Sequence, residues 1–132
     1  MDALFWAGNW QAVPESQYLK APAALVRQQN WIIEGYIDET MAERLSFAEL
    51  VIYLDYSGPR CAWRVFRRWL AHRNASRPEL PNGTLETLSF EFLWTVLRRA
   101  ERPGIENAIR VGDPSNLSHF RSPADALRAN LI

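Results

Sequence analysis

The side chains best suited to chemistry in this chain are arginines. Of its 15 basic residues, only Lys20 is a lysine. Guanidinium groups stay charged and grip pairs of oxygens as a planar fork, so an arginine-rich chain is equipped to hold anions. Arg64 and Arg68 are four residues apart, which places them on one helix face, and Arg67 and Arg73 flank them. Arg98, Arg99 and Arg102 form a second cluster, and Arg121 stands farther along. Two carboxylates occupy telling places. Glu34 precedes Gly35 at a turn, and Asp55 closes an apolar run, where it could cap a turn at Ser57. Cys61 is the only cysteine, which leaves no intrachain disulfide and no zinc-type spacing. Cys61 and His72 have no partner at a triad-like spacing, so packing and surface roles suit them better; His119 lies far from His72 in sequence, with no cysteine cluster beside either.

Formal net charge is zero, with 15 basic and 15 acidic residues, but the signs are unevenly placed. Acidic residues dominate from Met1 to Asp55, and arginines from Arg60 to Arg110. A neutral chain with one basic half points to local recognition of anions rather than general attraction to nucleic acid. The length of 132 residues and the 48% hydrophobic content fit one domain with a real core. The six tryptophans are spread along the chain, as large apolar anchors would be. No apolar run is long enough for a membrane span, and no signal peptide is evident. The cytoplasm is the expected compartment.

The elements that must position these residues alternate. Pro14-Glu15-Ser16 opens a helix reaching about Gln29. Trp31-Ile32-Ile33 reads as a short buried strand ending at Glu34-Gly35. A short helix over 39–46 follows. Leu50 to Leu54 is the clearest strand, and its unbroken apolar run suits a parallel sheet covered on both faces. Ser57-Gly58-Pro59 turns into a helix over about 60–72, with Cys61, Val65, Trp69 and Leu70 at helical spacing. A proline-rich loop precedes a second amphipathic helix over 85–99, which Pro103-Gly104 breaks. Asn107–Val111 and Leu117–Phe120 are candidate strands. Ser122-Pro123 starts a last helix, with serine as cap. Strands alternating with helices argue for an α/β domain with a parallel sheet.

Several segments line up, in order, with one family. Asp2-Ala3-Leu4-Phe5-Trp6, Trp31 to Tyr36, Ala48 to Asp55, Trp63 to Arg68, Arg77-Pro78-Glu79-Leu80 with Glu86 and Phe90 to Leu93, and Phe120-Arg121-Ser122-Pro123 together resemble the adenylate-kinase-related "DNA topology modulation" proteins of the P-loop class. The resemblance covers essentially all 132 residues. It implies one truncated domain over residues 1–132, a three-layer parallel sheet of P-loop kinase type, with a lid-like segment at about 73–86. It also implies ATP and Mg2+ as cofactors, a nucleotide or nucleoside as phosphate acceptor, Arg64 and Arg68 as catalytic phosphate-gripping residues, and Arg98, Arg99 and Arg121 as cofactor-binding. Glu34 and Asp2 fall where related proteins place carboxylates near the metal, although aspartate is usual at the position of Glu34.

The departure is at the front. Family members open with a strand, the loop G-x-x-x-x-G-K-[ST] and a helix, and that unit of about thirty residues has no counterpart among these residues. The loop supplies backbone donors, a lysine and a magnesium-binding hydroxyl to the phosphates. The simplest explanation is a start placed at an internal methionine; an upstream reading frame without a glycine-rich loop would contradict it. Three expectations follow: an incomplete or degenerate phosphotransferase, a non-catalytic module binding nucleotide or nucleic acid (DNA included) through its arginine-rich helix, or a fold completed by another chain, self-association included, at the gap in the sheet. Phosphoryl transfer depends on positioning and charge stabilisation, and losing such a donor costs ~10³-fold. The 132-residue chain is therefore expected to show no ATP-dependent phosphoryl transfer in a coupled assay, and measurable turnover would contradict this.

Overall fold

The computed structural model describes residues 2–8, 10–35, 38–73 and 87–129. At the front, α1 (Asp2–Phe5) leads into an antiparallel pair, β1 (Trp6–Gly8) with β2 (Gln11–Ala12). Trp10, at φ 58°, turns the chain between them. Aromatic edges hold this corner: Phe5 meets Trp6 at 4.7 Å and Tyr18 at 5.2 Å between ring centroids, both T-shaped. Tyr18 ends α2 (Glu15–Tyr18), and α3 (Lys20–Leu25) continues after one residue. Pro22 is fully buried within α3's first turn, where its missing N–H costs nothing.

Trp31 to Gly35 forms no strand, contrary to the sequence expectation. Ile32 is 97% exposed, and no described segment runs alongside to share backbone hydrogen bonds. Local preference for β structure comes to nothing without a partner edge.

The parallel pair expected of βαβ units is present in β3 (Val51–Leu54) and β4 (Leu117–Phe120). Val51 faces Leu117 and Leu54 faces Phe120, and Asp55 N–H extends the ladder to Phe120 O at 2.8 Å. Val51 is buried, but Ile52 and Leu54, on the opposite face, are 45% and 47% exposed. On β4 the pattern reverses, with Leu117 exposed beside Val51 and with Ser118 and Phe120 half-buried, so among the described residues neither face of the pair is fully covered, where two covered faces were expected.

Between the strands run α5 (Gly58–His72), α6 (Phe90–Arg98) and α7 (Arg102–Gly112). Asn107–Val111, a candidate strand by sequence, lies inside α7. Pro103 sits in the first turn, where proline is preorganised for a helix rather than a breaker of one. Ile105, Ala108, Ile109 and Gly112 then recur at helical spacing, with Ala108 and Gly112 buried. Two glycines set how closely the helices approach. A Cβ on Gly58 would collide with the Leu97 carbonyl of α6, and one on Gly112 with the Ala42 carbonyl of α4 (Met41–Phe47). α8 (Pro123–Arg128) closes the chain, with Ser122 Oγ capping it at Asp125 N, as the sequence predicts.

Apolar burial is modest. Tyr18, Val51, Tyr56, Ala108 and Ala126 are the buried hydrophobic residues among those described, and two of the five are alanines. Polar anchors add to it. Asp38 accepts hydrogen bonds from Tyr18 Oη at 2.6 Å, Thr40 N at 2.8 Å, Thr40 Oγ1 at 2.6 Å and Arg44 Nη1 at 2.9 Å. This knot joins α2 to α4, and both the Asp38 and Arg44 side chains are under 10% exposed, at 8% and 7%. Burial alone would raise the Asp38 carboxyl. The bonds from Thr40 and Tyr18 and the Arg44 charge outweigh it and hold the carboxyl below its ordinary value. Burial first, then Asp38, pushes the Tyr18 phenol up to about 12, so it remains a donor at neutral pH.

The sign of the pH effect follows. A carboxyl depressed in the folded state adds stability above its unfolded pKa, and that stability is lost as pH falls through the folded value. Urea unfolding should show stability declining on the acid side of the ordinary aspartate range. Asp38→Asn should cost about 3 kcal/mol at neutral pH and flatten that acid decline; an unchanged acid limb in the variant would rule this knot out as its source.

Candidate functional site

The parallel strands end together. Asp55 follows β3 directly, and Arg121 follows β4. Crevices at the carboxyl ends of parallel strands are where open α/β sheets place their ligands. Here a hollow of about 340 Å³ is lined by Asp55, Ser57, Arg99, Arg102 and Arg121. Four pieces of backbone deliver these residues: the end of β3, the cap of α5, the α6–α7 corner and the end of β4. Ser57 is the N-cap residue of the 15-residue α5, so the positive end of that helix dipole adjoins the hollow.

Asp55 is the centre of the arrangement. Its side chain is 2% exposed and is ion-paired to Arg99 through Oδ1. Arg102 Nη2 lies 3.3 Å from Oδ2, and His119 Nε2 lies 3.0 Å from the same oxygen. Tyr53 donates its hydroxyl to Oδ1 at 3.3 Å and stacks on the His119 ring at 4.8 Å. A carboxylate so far out of water is tolerable only with partners of this kind.

The arginines hold positions their backbones make unusual. Arg99 is the C-cap of α6 in the left-handed region, at φ 55° and ψ 45°. A non-glycine residue there costs ~1 kcal/mol or more, and such strain gathers at functional sites. Arg102 begins α7 three residues later, so the tight corner turns both guanidiniums towards Asp55. Glu106 Oε1 lies 2.8 Å from Arg102 Nε, but off the N–H axis, and that buried Nε–H has no in-line acceptor. Arg121 lines the hollow with no ion pair among the described residues. Three guanidiniums thus meet two carboxylates, which leaves the hollow with positive charge and spare donors.

Two of the arginines singled out in the sequence as cofactor-binding, Arg99 and Arg121, meet here. The third, Arg98, does not. It lies one residue round α6, with its guanidinium 5.5 Å from the Trp94 ring centroid. Arg64 is over the Tyr56 ring at 5.8 Å, and neither it nor Arg68 lines the hollow. Glu34 is exposed in the irregular stretch 31–35, away from the hollow's lining. Asp2 opens α1, and its side chain lies outside the described residues. The lid-like segment lies outside them from residue 74 to 86.

Sequence reasoning gave Asp55 a turn-capping role and passed over His119 and Ser57. The signal available for Asp55 was its place at the carboxyl end of the clearest strand. Nothing in the sequence joins it to Arg99, 44 residues on, or to His119, at a separation of 64.

The donor set suits an anion and not a hard cation. Mg2+ wants several oxygen ligands in octahedral array, whereas the hollow offers mainly N–H groups. Among the described residues no cluster of three His, Cys, Asp or Glu could hold a metal ion. The lining therefore matches the oxygens of an anion and does not match the coordination that Mg2+ requires.

No family model, curated protein or solved structure matches the chain. No helix among the described residues is long and apolar enough to cross a membrane.

If Asp55 organises this corner, Asp55→Asn leaves Arg99 without a counter-ion and Arg102 with Glu106 alone. The variant should lose about 3 kcal/mol of unfolding free energy in urea, with its far-UV spectrum retained in buffer. A variant as stable as the parent would show that the ion pairs hold nothing together.

Proposed function

We propose that the chain binds a nucleotide through its phosphates, as the anion-holding part of an adenylate-kinase-like phosphotransferase. One observation carries this reading: Arg99, Arg102 and Arg121 converge with Ser57 at the carboxyl ends of two parallel strands. Guanidinium forks match phosphate oxygens in shape and charge. A helix N-terminus beside them favours the same ligand. The buried Asp55 has a positioning part, since it fixes two of the three arginines before a ligand arrives.

Among these residues no glycine-rich phosphate loop occurs, so their contribution is binding rather than transfer. Arg64 and Arg68 reach a phosphate in this reading only from outside the hollow, and the arginines inside it take that part. The acceptor is a nucleotide or other small phosphate ester, and the cytoplasm, where such esters are made and used, is the compartment the reading calls for.

Isothermal titration with ATP, ADP, AMP, inorganic phosphate and adenosine tests it. The phosphorylated ligands should bind and adenosine should not, with affinity falling as salt rises. Arg121→Ala removes a charge-assisted donor that no described carboxylate engages. It should weaken binding about 10- to 100-fold without loss of stability. Equal binding of adenosine, or full affinity in both Arg121→Ala and Arg99→Ala, would overturn the reading.

A further inference from the structure

A second surface lies on α5, away from the hollow. From Ser57 through Arg73 the chain carries five arginines and no aspartate or glutamate. Interleaved with them is a row of rings. Trp63 and Phe66 stack with centroids 5.8 Å apart at 25°, and Phe66 and Trp69 follow at 5.8 Å and 38°. The spacing of three residues keeps the row along one side of the helix. Trp63 is 59% exposed and Leu70 49%, where ordinary packing would cover both. Arg60 and Arg67, three residues before Trp63 and four after it, are exposed and make no ion pair among the described residues.

We propose that this side of α5 binds single-stranded nucleic acid, with bases stacking on the Trp63 face and Arg60 and Arg67 holding phosphates. Aromatic platforms flanked by cations are how sequence-tolerant single-strand binding is achieved, at about 1–3 kcal/mol per stacked base. A duplex hides its base faces, and a chain of zero net charge lacks the broad basic footprint that duplex binding shows. A second copy of the chain is a poorer occupant. Pairing α5 with itself would bring arginine-rich helices together with no acidic residue on either to offset them. The proposal stands independently of the nucleotide reading, because none of Arg60, Trp63 and Arg67 lines the hollow.

The test is fluorescence anisotropy of an end-labelled oligothymidylate with the full chain, from about 50 to about 200 mM KCl. The oligonucleotide should bind more tightly than a duplex of equal length or polyglutamate. Trp63→Ala should weaken it about tenfold with the salt slope unchanged, and Trp63→Phe, which keeps a ring, should restore most of the affinity. Replacing Arg60 and Arg67 together with alanine should remove about 1.4 from the slope of log K against log salt. Circular dichroism checks that each variant keeps its helices, and ATP titration checks that Trp63→Ala leaves the hollow intact. No binding at low salt, equal binding of duplex or polyglutamate, or full affinity in Trp63→Ala would overturn the proposal. So would loss of oligonucleotide binding in Arg121→Ala, since the hollow would then be capturing the phosphates. Concentration-dependent dimerisation abolished by Trp63→Ala would assign the face to a second copy instead.

Discussion

A carboxylate removed from water must be answered by charge and hydrogen bonds, and in this protein Asp55 imposes that demand on its own strand and three other elements. Its partners come from β3 itself, from the corner between α6 and α7, and from β4. Satisfying one side chain fixes the relative placement of the strand ends and the helical corner. That constraint matters because apolar burial is thin, with Ile52 and Leu54 half-exposed on the other face of the strand. A buried charge network is costly to break and geometrically demanding. It specifies one arrangement where a loose apolar core would allow several.

The same network creates the functional opportunity. Arginines that neutralise Asp55 do so with part of their donor capacity, because a guanidinium carries five N–H groups. The rest faces the hollow, together with Arg121 and the end of α5. The contrast with Asp38 is instructive. There the carboxylate takes four hydrogen bonds from a tyrosine, a threonine and one arginine, and the cluster serves to tie α2 to α4. Asp55 is surrounded by more positive charge than it can use, and the surplus opens on a cavity. Both aspartate side chains are under 10% exposed; the balance of charge around each separates a closed anchor from an open, positively charged hollow.

Helix positions were the most legible part of the fold. The apolar spacing through Val65 and Trp69, the Ser122-Pro123 cap and the run Leu50–Leu54 each gave the element observed. The misreadings have one cause. Trp31–Ile33 and Asn107–Val111 both contain β-favouring residues, but a strand exists only where a neighbour completes its hydrogen bonds. Residues 107–111 instead continue a helix begun at Arg102, and residues 31–33 have no described neighbour to pair with. For the site, the arginine clusters were visible as composition. Which members would meet was not: Arg98 and Arg99 are adjacent in sequence, yet one lies over Trp94 and the other is ion-paired to Asp55.

By itself the sequence determined the chemical vocabulary: arginines in place of lysines, a basic second half, alternating elements, and no glycine-rich phosphate loop in these residues. Those are matters of composition and short-range spacing, which a helix or strand converts directly into a face. The tertiary structure alone decided that Asp55 sits at the centre, that Arg99, Arg102 and Arg121 share one hollow, and that Trp63 faces solvent beside the exposed Arg60 and Arg67. Each of those depends on segments tens of residues apart arriving at one place. Their meeting is set by strand register and close helix approach, which no local pattern encodes.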